Sequence, residues 1–66
     1  MNVKLNNKTI TIPANTSLEE CLDINNISAK GIATALNGTV IPANDRLKTI
    51  LKDGDNIIVI KAFYGG

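Results

Sequence analysis

The sequence predicts an α+β fold, a sheet of four to five strands with one short helix packed across it. Three stretches carry that expectation. Val3-Lys4-Leu5 and Thr9-Ile10-Thr11-Ile12 alternate apolar and polar residues with the period of two that half-buried strands show. Ser17-x-x-Glu20 forms a capping-box signature ahead of an i, i+3, i+4 apolar stripe at Leu18, Cys21 and Leu22. Asn56-Ile57-Ile58-Val59-Ile60-Lys61-Ala62 is the strongest strand signal, dense in β-branched residues.

The first two stretches pair as a hairpin with Asn7-Lys8 as its loop. Leu5 then faces Ile10, Val3 faces Ile12 and Lys4 faces Thr11, and every apolar side chain lands on one face. Pro13 ends the second strand by withholding a backbone donor. The helix spans about residues 17–25, with Glu19 and Glu20 favouring its positive end and Asn25-Asn26 closing it. Ile32-Ala33-Thr34-Ala35-Leu36 reads as a third strand, and Asn37-Gly38 is a strong turn signal. Thr39-Val40-Ile41 is a short extended piece stopped by Pro42. One helical turn fits the loop Ala43–Leu47, with Leu47, Ile50 and Leu51 turned inward. Asp53-Gly54-Asp55 makes a second sharp turn. The first and last strands are expected side by side in the centre. If Lys61 points outward, Ile58, Ile60 and Ala62 face the helix, and Ile57 and Val59 form an apolar patch on the open face, a candidate partner surface.

Composition narrows the function. Sixty-six residues make one small domain with a small core and little room for a deep active site. Hydrophobic content of 44% is that of a globular chain. A net charge of +1, with the basic residues scattered, argues against nucleic acid or an acidic membrane surface as partner. Histidine is absent, which removes the commonest general base and metal ligand. A single cysteine permits no internal disulfide, which fits a reducing cytoplasm. Cys21 shares the helix's apolar stripe and reads as a small inert hydrophobe. The N-terminus lacks the apolar core of a signal peptide, and no apolar run approaches the roughly 20 residues that span a bilayer. The four Asn-x-Ser/Thr sequons at Asn7, Asn15, Asn26 and Asn37 are therefore read as chance. Asp53 and Asp55, with no further ligand placed beside them, read as a turn. No metal site, phosphate loop or catalytic group is found, so any chemistry at this chain is expected to be done by partners.

The chain closes on Phe63-Tyr64-Gly65-Gly66. Glycine has no Cβ and lets another backbone approach closely, so the expectation is a bare carboxylate on a thin arm. Four extended residues reach roughly 13–14 Å.

Ala35-Leu36-Asn37-Gly38 followed by Val40-Ile41-Pro42, then Leu51-Lys52-Asp53-Gly54-Asp55-Asn56-Ile57, then the terminal Gly65-Gly66 give the chain a resemblance to the ThiS family. These are the sulfur-carrier proteins of thiamine biosynthesis, and the likeness covers essentially the whole length. It implies the ubiquitin-like β-grasp fold with a mixed four- to five-stranded sheet, a domain over 1–62 and a flexible tail over 63–66. It also implies that Gly66 is the group that works. A partner of the ubiquitin-activating type, a ThiF-like adenylyltransferase, would adenylate it with ATP. A sulfur donor, usually a cysteine desulfurase, would convert it to a thiocarboxylate, and a ThiG-like thiazole synthase would receive the sulfur. Gly65 would be the slim neck, with Phe63 and Tyr64 as candidate partner contacts beside Ile57 and Val59. The chain itself would be a substrate, not an enzyme, with no bound cofactor. The small subunit of molybdopterin synthase, a carrier for another sulfur product, or a ubiquitin-like modifier are the alternatives. Members of the family often carry a basic residue directly after the proline of the Val-Ile-Pro segment. Here that place is Ala43, and the nearest arginine, Arg46, is read as a solvated surface residue rather than a replacement.

Overall fold

The computed structural model describes residues 1–61. Its strands are β1 (Asn2–Leu5), β2 (Lys8–Thr11), β3 (Ile32–Leu36), β4 (Thr39–Ile41) and β5 (Asn56–Lys61), with one helix, α1 (Leu18–Ile24), and a 3₁₀ turn over Ala43–Asp45. The strands form one sheet in the order β2-β1-β5-β3-β4. β5 runs parallel to β1 and antiparallel to β3, and the two outer pairs are antiparallel hairpins.

The first hairpin turns one residue earlier than the sequence suggests. Its register pairs Val3 with Ile10 and Leu5 with Lys8, so Asn6-Asn7 is the loop. Both asparagines take positive φ, 49° and 68°. A tight two-residue turn needs that at both central positions, and asparagine tolerates it where lysine does not. The slip is by an even number of residues, so Val3, Ile10 and Ile12 keep their shared face. The second hairpin turns at Asn37-Gly38, with φ of 50° and 86°, as predicted.

The capping box forms as read. Ser17 Oγ accepts the Glu20 N–H at 3.1 Å and the Glu20 carboxylate accepts the Ser17 N–H at 3.0 Å. The remaining orphan donors of the first turn find carbonyls of the 46–49 segment: Leu18 N–H to Thr49 at 2.8 Å and Glu19 N–H to Arg46 at 3.2 Å. At the other end, Asn26 adopts φ of 59°. The Ile27 N–H reaches the Leu22 carbonyl and the Asn26 N–H reaches that of Asp23. This is a Schellman closure with asparagine in the place glycine usually takes.

Val3, Ile12, Leu18, Cys21, Leu51 and Ile57 form the buried cluster between helix and sheet. Two predicted inward residues are not in it. Leu47 is 65% exposed and Ile50 half exposed. Ile50 bridges Ser17 in extended backbone, so it and Leu51 point opposite ways, and Leu51 takes the core. The inward place near residue 47 belongs to Arg46, which is 3% exposed. The expectation of a solvated arginine is thereby corrected.

Candidate functional site

The terminal segment follows β5 in the sequence. That strand is held on both flanks. On one, the N–H groups of Lys4 and Asn6 donate to the carbonyls of Asp55 and Ile57, at 2.8 and 2.9 Å. β1 ends at Leu5, yet the ladder continues. The Asn6 side chain accepts the Val59 N–H at 2.8 Å and donates to the Val59 carbonyl at 3.3 Å, standing in for a backbone unit that has turned away. On the other flank, β3 pairs with β5 along its length, from Leu36 opposite Ile57 to Ile32 opposite Lys61. Asn37 locks the start of β5 by accepting the Asn56 N–H at 2.9 Å and donating to Asp55 at 3.0 Å. Lys61, the last described residue, is therefore a root set by pairing. Ala62, expected to face the helix, lies outside the described residues, as do Phe63, Tyr64, Gly65 and Gly66.

The phase of β5 is opposite to the one expected. Ile57 is fully buried and Val59 packs against the same cluster, so neither lies on the open face. The parallel register explains it. Ile57 lies beside Leu5 and must share the face of Val3 and Leu5, which the helix covers. Lys61 misled the reading because its alternation matches the covered face. It is exposed all the same, in a groove with Asn26, Ile27, Ser28, Lys30, Gly31 and Ile32. Asn56, at the strand's other end, marks the solvent phase correctly.

The open face thus carries Ile58 and Ile60. Ile58 lies opposite Ala35, which lies opposite Val40, while Ile60 lies opposite Ala33. Ile60 is 61% exposed and Val40 70% exposed. The result is an apolar strip across β5, β3 and β4, on the strand that ends five residues before Gly66. The expected patch exists, with different members. Sequence reasoning missed Val40, whose signal was its hairpin partnership with Ala35 across Asn37-Gly38.

The other candidates are structural. Cys21 is buried in the core. Burial pushes its thiol above the ordinary cysteine value, and a contact from Asn25 Nδ2 at 3.8 Å offsets only part of that. A thiol so placed is a poor nucleophile. Asp53 accepts the Asn2 N–H and Asp55 the Lys52 N–H, both at 2.8 Å, so each carboxylate serves its turn. Among the described residues no group of three His, Cys, Asp or Glu side chains is placed to hold a metal ion, and no helix is long and apolar enough to cross a membrane.

A mixed sheet with β1 and β5 parallel at its middle, two flanking hairpins and one helix across a single face defines a protein of the ubiquitin-like β-grasp class. The chain belongs to the ThiS family, with the match running over residues 3–66. The crystal structure of a thiamine biosynthesis protein (ThiS) from Geobacter metallireducens is similar to it with a TM-score of 0.85 and 29% identity, covering 100% of this chain and 99% of that one. The solution structure of a thiamine biosynthesis protein from the same organism gives 0.77 and 28%, covering 100% of this chain and 88% of that one. No curated protein matches at the sequence level.

Proposed function

We propose that this protein is a sulfur carrier, a substrate for other enzymes rather than an enzyme. The observation that carries the proposal is the family match through Gly66 on a β-grasp sheet whose paired strand β5 leads to that end. In this reading the Gly66 carboxylate attacks the α-phosphate of ATP in a ubiquitin-activating-type adenylyltransferase, and pyrophosphate leaves. The persulfide of a cysteine desulfurase then displaces AMP to give an acyl disulfide. A partner enzyme's thiol cleaves its S–S bond and is itself oxidised to a disulfide, and the thiocarboxylate so released supplies sulfur to thiazole synthase. ATP is bound by the partner. Gly65 forms the neck, and Phe63 and Tyr64 seat it against the partner. The apolar strip of Ile58, Ile60 and Val40 is the docking surface.

The physical logic supports the division of labour. A carboxylate is a poor electrophile, and the sequence offers no histidine with which to activate it. Intact-mass measurement of the protein from cells tests the proposal. A shift matching replacement of one oxygen by sulfur is the expected result. High-mass conjugates to lysines would make the chain a modifier, and an unchanged mass in every growth state would overturn the carrier reading.

A further inference from the structure

Arg46 has no part in the chemistry above, yet among the described residues its side chain donates the most hydrogen bonds, three. Its Nε donates to Thr34 Oγ1 at 3.1 Å, Nη1 to the Ala29 carbonyl at 3.2 Å and Nη2 to the Ile32 carbonyl at 2.8 Å. Thr34, itself buried, donates a hydrogen bond from its own hydroxyl to the Ile41 carbonyl at 3.0 Å. All these acceptors are neutral. Burying a charge is costly unless its donors are met, and here a planar fork meets three oxygens that a lysine ammonium could not match in geometry.

The place of the fork gives its purpose. β4 runs beside β3 only from Thr34 to Leu36, because Pro42 turns the chain into the 3₁₀ turn. Ile32 and Ala33 therefore have β5 on one side and no strand on the other. Ile32 is the register partner of Lys61, and Ala33 that of Ile60. Arg46 takes over where β4 departs. Its fork ties Ala29, Ile32 and Thr34 across the Gly31 turn, whose φ is 69°.

We propose that Arg46 is a positioning residue for the C-terminal segment. By fixing the free side of β3 it holds Ile32 in register with Lys61, so that the last described residue of β5 keeps one position. The inference rests on the carrier reading for its consequence. The guanidinium meets Thr34 on the helix-covered face, so the sheet separates it from a partner docked on Ile58, Ile60 and Val40. Losing the fork lowers the rate at which a docked chain presents its carboxylate and leaves docking alone.

The test is Arg46→Lys in the full chain, against a core variant, Ile12→Val or Leu51→Ala, chosen to match its loss of Tm. With the adenylating enzyme that turns over the wild type, Arg46→Lys is expected to lower kcat about tenfold, as small misplacements of reacting groups do, with KM unchanged. The matched core variant keeps its kcat. In the isolated chain, amide exchange across residues 32–33 and 60–61 accelerates relative to the amides of α1. Equal kcat losses in both variants, a loss carried wholly by KM, or uniform acceleration of exchange would each overturn the proposal. If Arg46→Lys does not fold, Thr34→Val removes one acceptor at nearly constant shape and gives the same pattern in smaller measure. Wild-type kinetics and exchange in that variant overturn it equally. Failure of any such enzyme to adenylate the wild type counts against the carrier reading, and the exchange comparison still judges the clamp.

Discussion

Glycine at positions 65 and 66 matters in the proposed mechanism because a partner's channel sized for bare backbone has no room for a Cβ. Gly66→Ala, and more severely Gly65→Val, are expected to leave Tm unchanged and to lose adenylation by the partner enzyme. Normal thiocarboxylate yield from either would count against the channel argument. Cys21 makes the opposite case. Sulfur passes through this protein's proposed chemistry, but the Cys21 thiol sits in the apolar cluster with its pKa raised. Cys21→Ser is expected to load sulfur normally while losing about 1–3 kcal/mol of stability from the buried hydroxyl. Abolished loading in a folded Cys21→Ser protein would assign the thiol a direct role.

At the scale of elements, α1 depends on its first turn. Its seven residues are too few to be stable alone, so the capping box and the carbonyls of Arg46 and Thr49 hold its start. Ser17→Ala is expected to cost about 1 kcal/mol, read as a lower urea midpoint. Glu20 adds a pH dependence. Hydrogen bonds from the Ser17 backbone first, and from its side chain second, hold the Glu20 carboxyl below its ordinary value. A depressed folded-state pKa stabilises above the unfolded value, and that stabilisation is lost as pH falls through the folded one. The urea midpoint of the wild type should therefore drop further between neutral pH and pH about 3 than that of Glu20→Gln. Equal drops would remove the capping carboxylate from the account.

Elements were more legible in the sequence than their relative phases, and the reason is physical. The capping box, the Asn37-Gly38 turn and the strand residues are local signals, readable within a few positions. The register of β5 is set by β1, some fifty residues away, and an apolar run in both phases carries no mark of which face is covered. That is why Ile57 and Val59 were expected where Ile58 and Ile60 lie. Arg46 was missed for a related reason. An arginine in a polar loop looks solvated until the end of β4 shows that β3 lacks a neighbour there.

Across the whole molecule, one sheet face closes the core and the other stays open. The Ile58, Ile60 and Val40 strip is expected to act in docking, so Ile60→Asp combined with Val40→Asp should raise KM for the adenylating enzyme by about tenfold or more, as loss of interface anchors does. Both side chains are mostly exposed, so Tm should hold. An unchanged KM would move the docking surface elsewhere.

The position of β5 between β1 and β3 also orders events in time. The two hairpins and the helix involve neighbours in sequence and can form early, whereas the parallel pairing of Lys4 and Leu5 with Asn56 and Ile57 joins opposite ends of the chain. Such non-local closure is slow, because the entropy of bringing the ends together opposes it before any contact rewards it. Pairing of the strand that leads to Gly66 with β1 is thus expected to come late, after its pairing with the nearer β3. A chain whose first strand has been clipped loses the partner of β5 on one flank and is left with β3 alone to hold the strand. On the carrier reading, adenylation of a chain lacking residues 1–6 is then expected to be slower than that of the full chain.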